Sequence, residues 1–316
     1  MPELPEVETV VRGLRLSLPG RAIAEVRFGK TDFVDNPGEI SERLPGTRIA
    51  NVARMGKFIC VGLAEGAGST PNTASTPSAP NAEMAAPPLP FYLIIHLGMT
   101  GRLTVIRSGE SAAPHTHVIF RLEDGGELHY TDIRRFGRML VIPGSKLADF
   151  KGQLGREPLE IGAEEFCRDF ASRHARVKAL LLDQSVLCGV GNIYADESLF
   201  RARLHPARIA EKLKKEQLLA LHKAVRQVLE EAIRFRGSSV SDYFDSEGKR
   251  GEFQLRHRVY QRDGKPCFRC KSILRRVIVA GRSSHFCPSC QPAPRSRAKK
   301  RLKPRMHTDK HGQKKK

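Results

Sequence analysis

Residues 189–200 read GVGNIYADESLF, and the reading of that stretch decides the class of fold. Two glycines spaced by one residue ahead of a helix-like run invite a dinucleotide-binding turn, which needs a third small residue three positions on for close packing. Tyr194 stands there, so the glycine pattern fails. What is left is a turn leading into a helix, and the surrounding text agrees. From about residue 155 the apolar period is helical, in EEFCRDFASR, RVKALLLDQ and an amphipathic stretch from Glu211 to Phe235 bearing Leu218, Leu221, Val225, Val228 and Leu229.

Upstream the text differs. Between about 21 and 142 come short β-rich runs, RAIAEVRF, KFICVGL, FYLIIHL, GRLTVI, HVIFRL, ELHYTDI and RMLVIP, separated by Gly, Pro and Asp turns. They predict an antiparallel sandwich or barrel. Residues 3 to 16 carry Val7, Val10, Val11 and Leu14 at helical spacing, with acidic residues in the first turn where the macrodipole favours them. Residues 66–90, rich in Ser, Thr, Ala and Pro, lack the apolar content of a packed element and are expected to form a disordered insertion. The fold class is therefore α+β: a helix and β-sandwich over 1–150, a helical domain with a Gly- and Ser-rich loop over 151–260, a cysteine module over 261–291 and a basic tail over 292–316.

At 316 residues the chain can bury more than one core. Its longest apolar runs fall short of the roughly 18 residues that cross a bilayer. Glu3, Glu6 and Glu8 occupy the region where a secretory signal would be basic and then apolar, so the chain reads as cytoplasmic. Fifty-four Lys and Arg against thirty-four Asp and Glu leave a formal charge of +20, which favours a polyanionic partner. Residues 292–316 hold eleven Lys or Arg and one Asp, so half of the excess lies in the tail and the body is basic without it.

PCFRC and FCPSC set Cys267, Cys270, Cys287 and Cys290 in two C-x2-C pairs sixteen residues apart, the spacing of a four-thiolate zinc site. A pair of disulfides is the bland alternative, disfavoured in a reducing compartment. Four thiolates fill the coordination sphere, so the metal would be structural, stapling the hairpin-like ILRRVIVAGRSSHF between the pairs. Cys60, Cys167 and Cys188 lie outside the pattern and read as buried thiols.

The chain opens MPELPEVETV. Pro5 suits a first helical turn, whose N–H groups have no partner in any case. Pro2 has another use: with Met1 removed it would carry a terminal secondary amine, a nucleophile whose class of pKa, about 7.7 to 8.0, leaves a useful neutral fraction at neutral pH.

PELPEVET, HLGMTG (96–101), TDIRRFG (131–137), GVGNIYADESLF and the four-cysteine finger ending in CQ together resemble, in order, bacterial formamidopyrimidine-DNA glycosylases. The resemblance covers about residues 2 to 291 apart from the insertion. It implies an N-terminal β-sandwich, a helix-two-turn-helix domain and a zinc-finger hairpin. The implied activity is a monomeric bifunctional DNA glycosylase/AP lyase of base excision repair, acting on double-stranded DNA in the bacterial nucleoid. Such an enzyme removes oxidised purines such as 8-oxoguanine and formamidopyrimidines through a Schiff base, then cleaves the strand by β,δ-elimination.

Carried to matching positions, the resemblance makes Pro2 the nucleophile at C1′ and Glu3 the acid that protonates the sugar ring oxygen, which requires a raised pKa. Glu6 would shape the pocket, whereas Glu8 reads as plain helix-start charge. Lys57 in RMGKF and His96 would contact phosphates near the lesion, Lys57 also supporting strand cleavage. Met99, Arg134 and Phe136 would fill the gap left by the flipped nucleotide; on their own, Met99 and Phe136 would read as core residues. Asn192 and nearby backbone amides would face a phosphate at a helix start. Lys178 would lie at the DNA surface, and Arg282 would be a finger-tip arginine gripping phosphates.

Two positions depart from the family pattern. Lys271 stands where glycine usually follows the first C-x2-C, and Arg236-Gly237 stands where the 236–251 base-capping loop often begins Gly-Gly. The rival readings are an endonuclease VIII-type enzyme with the same chemistry on oxidised pyrimidines, and a non-catalytic architectural DNA-binding protein. PELPEVE with HLGM favours the purine branch, and an architectural protein has no use for Pro2-Glu3.

Overall fold

The computed structural model describes residues 1–66, 89–107, 109–239 and 248–294. In chain order the elements are α1 (Leu4–Ser17), β1 (Ile23–Phe28), α2 (Pro37–Arg43), β2 (Arg48–Met55), β3 (Phe58–Ala64), β4 (Phe91–His96), β5 (Arg102–Ile106), β6 (Thr116–Leu122), β7 (Glu127–Thr131) and β8 (Arg138–Pro143). They continue with α3 (Leu147–Gly152), α4 (Ala163–Ala171), α5 (Val177–Leu182), α6 (Asn192–Arg201), α7 (Lys215–Arg234), β9 (Arg275–Val279) and β10 (Arg282–Phe286).

The first eight strands form two antiparallel four-stranded sheets, ordered β1-β6-β7-β5 and β2-β3-β4-β8. Alternating residues of both sheets, among them Ile23, Phe120, Tyr130, Ile59, Leu93 and Met139, close one apolar core. Val7, Val10, Val11 and Leu14 of α1 pack into that core. Leu4, one turn earlier, belongs instead to the helical core with Phe166, Phe170, Tyr194 and Leu221. A single helix is thus anchored in both halves, and its first turn lies at the seam between them. A third, small core of Phe200, Val259, Leu274 and the cysteines Cys267 and Cys287 seats the β9–β10 hairpin on α6.

Two elements of the sandwich were not legible. In β2, RIANVARM, the buried residues are Ile49, Val52 and Met55, three apart, because a bulge between Ile49 and Asn51 breaks the alternation. That spacing imitates a helix. The short helix α2 begins at Pro37 and buries only Ile40, too little apolar signal to stand out. The long amphipathic stretch begins as α7 at Lys215 rather than at Glu211, because Ala210–Lys212 form a separate 3-10 turn. Most of the expected insertion at 66–90, residues 240–247 of the capping loop and the tail from 295 lie outside the described residues.

Candidate active site and metal centre

Pro2 and Glu3 sit at the head of α1, both buried. The Glu3 carboxylate leaves its own helix for the start of α6, where it accepts N–H bonds from Gly191 (2.9 Å), Ile193 (3.0 Å) and Tyr194 (3.4 Å). A helix N-terminus is a natural seat for an anion. The expectation that these amides face a phosphate is therefore corrected: a carboxylate of the same chain occupies them. Gly191 makes the approach possible, since a Cβ there would lie 2.3 Å from the Glu3 carboxyl carbon. Burial raises the Glu3 pKa, against the lowering pull of the Lys57 charge and of the Ile193 and Tyr194 amides.

Glu6, one turn on, accepts the Glu3 N–H (2.8 Å), the Ser238 N–H (2.6 Å) and the Tyr194 hydroxyl. Burial, with the neighbouring Glu3 charge adding to it, outweighs these donors and moves its pKa up to about 7. Gly237, at φ +77°, leaves room for Glu6, whose Oε1 would lie 2.7 Å from a Cβ at that position. Two acidic side chains from one helical turn thus tie the sandwich to the α6 start and to the base of the 236–251 loop.

Lys57 lies in the two-residue turn between β2 and β3, with Gly56 left-handed at φ +56°. That turn packs against Cys188, so Lys57 is 7% exposed rather than solvated. Burial lowers its pKa; Glu3 and Glu6 act to raise it and Arg282 adds to the lowering. Glu3, Glu6, Lys57 and Arg282 therefore share one electrostatic neighbourhood although they come from three regions of the chain.

His96 ends β4, with Nδ1 accepting the Gly98 N–H at 3.1 Å. Burial, then the charge on Lys57, holds its pKa down at about 4, so near neutrality the ring is uncharged and the Nε2 proton remains to donate. Met99 and Phe136 are exposed, and the Arg134 guanidinium lies 4.7 Å from the centre of the Phe136 ring. The two loops carrying them are joined by Asp132, which is fully buried. It accepts bonds from the Thr100 hydroxyl (2.5 Å), the Tyr130 hydroxyl (3.2 Å) and the N–H groups of Arg134 (3.2 Å) and Gly137 (2.9 Å). Asp132 lies inside the quoted TDIRRFG motif, yet only its burial reveals this role.

Lys178 requires correction. Its side chain is 0% exposed and donates to Asp196 (2.6 Å), the Ser283 carbonyl (2.8 Å) and the Ser284 hydroxyl (2.8 Å), so it lies beneath the surface and joins α5 to α6 and β10. Burial lowers its pKa while Asp196 raises it. Asn192 is half-buried beside Tyr260, and its Oδ1 has no partner among the described residues. Arg282 is exposed at the β9–β10 tip, after the left-handed pair Ala280-Gly281. Glu8 is also not a plain surface charge: it pairs with Arg54 (2.9 Å), which in turn pairs with Glu157 (2.9 Å), a buried bridge between sandwich and helical half.

Two acids within YADE, Asp196 and Glu197, hold the finger and the segment that leads into it. Asp196 accepts the N–H and Nδ1 of His285 (2.8 and 3.0 Å), and Glu197 accepts the N–H groups of Arg258, Val259 and Tyr260, each at 2.9 Å. Gln291, the last letter of CQ, donates to the Leu204 carbonyl and accepts the Cys287 N–H.

The Sγ atoms of Cys267, Cys270, Cys287 and Cys290 all lie within 4.8 Å of one another. Zinc–sulfur bonds of about 2.3 Å in a tetrahedron need sulfurs roughly 3.8 Å apart, so this set fits zinc with little adjustment. It is a structural zinc site, whose four thiolates would fill every coordination position of the metal. Cys60, Cys167 and Cys188 are buried thiols, with burial moving Cys188 up to about 12.

Models of three domains match the chain in order: the formamidopyrimidine-DNA glycosylase N-terminal domain over residues 1–139, the formamidopyrimidine-DNA glycosylase H2TH domain over 154–243, and the zinc finger found in FPG and IleRS over 264–293. The formamidopyrimidine-DNA glycosylase of Solibacter usitatus is 44% identical over 293 residues, covering 92% of this chain and 99% of the relative. That of Pelotomaculum thermopropionicum is 41% identical over 300 residues, with 92% and 99% coverage. The Lactococcus lactis enzyme, solved in complex with DNA containing an abasic site, superposes with a TM-score of 0.79 at 29% identity, covering 92% of this chain and all of that one. A further structure holds the same enzyme with DNA containing an oxidised pyrimidine, at a TM-score of 0.78 and 28% identity. No helix among the described residues is long and apolar enough to cross a membrane. On the agreement of domain order, identity and fold, the chain belongs to the formamidopyrimidine-DNA glycosylase family of DNA-repair enzymes.

Proposed function

We propose that this protein excises oxidised purines, 8-oxoguanine and formamidopyrimidines, from duplex DNA and then cleaves the strand at the resulting abasic site. In this reading, loss of Met1 frees the Pro2 secondary amine, which attacks C1′ of the extruded nucleotide as the base departs. Glu3, as the carboxylic acid, gives its proton to the ring oxygen; the ring opens and an iminium links Pro2 to the sugar. Abstraction of a C2′ proton then expels the 3′ phosphate, and a second elimination expels the 5′ phosphate.

The observation that carries the reading is the seat of Glu3: a buried carboxyl beside Pro2, raised in pKa, within the field of Lys57. Burial favours the protonated form of this carboxyl, and a neighbouring lysine of lowered pKa can serve a phosphate or a proton transfer. Met99, Arg134 and Phe136, held exposed by the Asp132 loops, suit insertion into the stack vacated by a flipped nucleotide. His96, Asn192 and Arg282 would position the phosphates, with the chain acting as a monomer.

Incubation with a duplex bearing 8-oxoguanine opposite cytosine, in the presence of borohydride, is expected to yield a covalent adduct mapped by mass spectrometry to residue 2. Recovery of unlinked, intact duplex would defeat the reading. Trapping confined to an oxidised thymine would favour the pyrimidine branch instead, a second reading that the Lactococcus lactis complex with an oxidised pyrimidine keeps in view.

A further inference from the structure

Outside the candidate active site, the densest unexplained feature is a cluster of arginines on aromatic rings at the first zinc knuckle, of which Phe268 is exposed, Phe235 half-buried and Phe200 buried. Phe268, between Cys267 and Cys270, is 53% exposed, and Leu255 is 83% exposed. Arg262 lies 3.7 Å and Arg258 5.3 Å from the Phe268 ring centre, Arg269 lies 4.7 Å from that of Phe200, and Arg256 lies 3.7 Å from that of Phe235. Two hollows, of about 330 and 260 Å³, meet at Phe268 and Arg258, the larger bounded by Phe235 and Leu255 and the smaller by Phe200 and Arg269.

The charges here are balanced only in part: Arg256 lies 3.9 Å from Glu231, and the exposed Glu252 borders the larger hollow. Arg258 and Arg269 have no carboxylate within ion-pair distance among the described residues. The nearest acid in the smaller hollow, Glu197, is 3% exposed and spends its oxygens on the backbone N–H groups of 258–260. Arg262 spends its N–H groups on the carbonyls of Arg258 and Pro266, which leaves Arg258 and Arg269 to present the N–H edge that grips a carboxylate. The arrangement also argues against a nucleic-acid strand, whose bases need open ring faces, because each of the three rings already carries a guanidinium. Nor is this the phosphate-gripping tip: Arg282 and Cys287 are five residue steps apart along β10, about 17 Å of strand.

The geometry points to a docking groove at the first zinc knuckle for an acidic segment of another protein, with an apolar side chain seated beside Phe268 and flanking carboxylates held by Arg258 and Arg269. The occupant is defined by charge complementarity and by hollows of side-chain size. It is independent of the excision chemistry.

The test uses the zinc-loaded full chain and a fluorescein-labelled nine-residue peptide with a central phenylalanine, three acidic residues on each side and terminal glycines, followed by anisotropy. Saturable binding is expected. It should weaken at least tenfold in the Arg258→Glu, Arg269→Glu double variant and at least fivefold when serine replaces the peptide's phenylalanine, with the excision rate unchanged. Because Arg269 lies inside the finger, zinc content is measured in parallel, and Arg258→Glu alone, outside the cysteine pairs, must also weaken the peptide. Absence of saturable binding, or equal binding by the variants, would overturn the inference. So would substitutions that weaken a single-stranded oligonucleotide but leave the peptide unaffected.

Discussion

Glu6 is the residue whose titration can be followed through to stability. Its carboxyl is ordinarily near 4.5 and is raised to about 7 in the fold, so between those values the folded chain binds more protons than the unfolded one. The stabilisation is complete below about pH 4.5 and is lost as pH rises through 7, amounting to about 3 kcal/mol at most. Glu6→Gln should flatten the dependence of urea-unfolding stability on pH across that window, leaving the part due to Glu3. An unchanged slope would show that Glu6 does not titrate there. Gly191 offers a steric test of the neighbouring carboxyl. Gly191→Ala puts a methyl carbon where the Glu3 carboxyl now lies, and single-turnover excision of 8-oxoguanine should fall by about 10² or more, the scale of lost acid catalysis. A variant that folds and excises at the original rate would remove Glu3 from the acid's role.

Among the elements, the finger is held to the helical half by buried charge and polar bonds. Lys178→Met leaves Asp196 buried without its cation, for which a loss of about 3–5 kcal/mol is expected in denaturant unfolding. A variant of normal stability but weakened DNA affinity would return Lys178 to the surface role that its burial denies. The two departures from the family pattern both fall on strained backbone: Lys271 has φ +65° and Arg236 has φ +58°, conformations in which a Cβ costs roughly 1 kcal/mol. Lys271→Gly should therefore raise the melting temperature by a few degrees, as scanning calorimetry would detect. No rise would mean that the lysine makes a compensating interaction.

At the scale of the whole molecule, charge and topology divide the work. The seam between sandwich and helices gathers Glu3, Glu6 and Lys57, while residues 292–316 carry a net charge of +10, which would add a diffuse attraction for polyanions. Deleting 292–316 should reduce the slope of log affinity against log salt by about 0.9 for each phosphate that the tail neutralises, with excision under saturating conditions unchanged. An identical slope in the truncated protein would show that the tail does not touch DNA.

Local sequence was enough wherever a short-range rule applied. Cysteine spacing alone points to a four-thiolate centre, short β-rich runs between turn residues mark seven of the eight sandwich strands, and the failed glycine pattern at Tyr194 removes the dinucleotide fold. The ordered motifs carry the family. The tertiary structure decided what depends on distance in sequence. It turned Glu3 onto the amides 188 to 191 residues away, drew Lys178 inside, gave Glu8 a buried arginine, and made Asp132, Asp196 and Glu197 the organisers of loops and finger. The reason is physical: burial and the identity of a hydrogen-bond partner are set by which segments pack together, and no window of neighbouring residues contains that information.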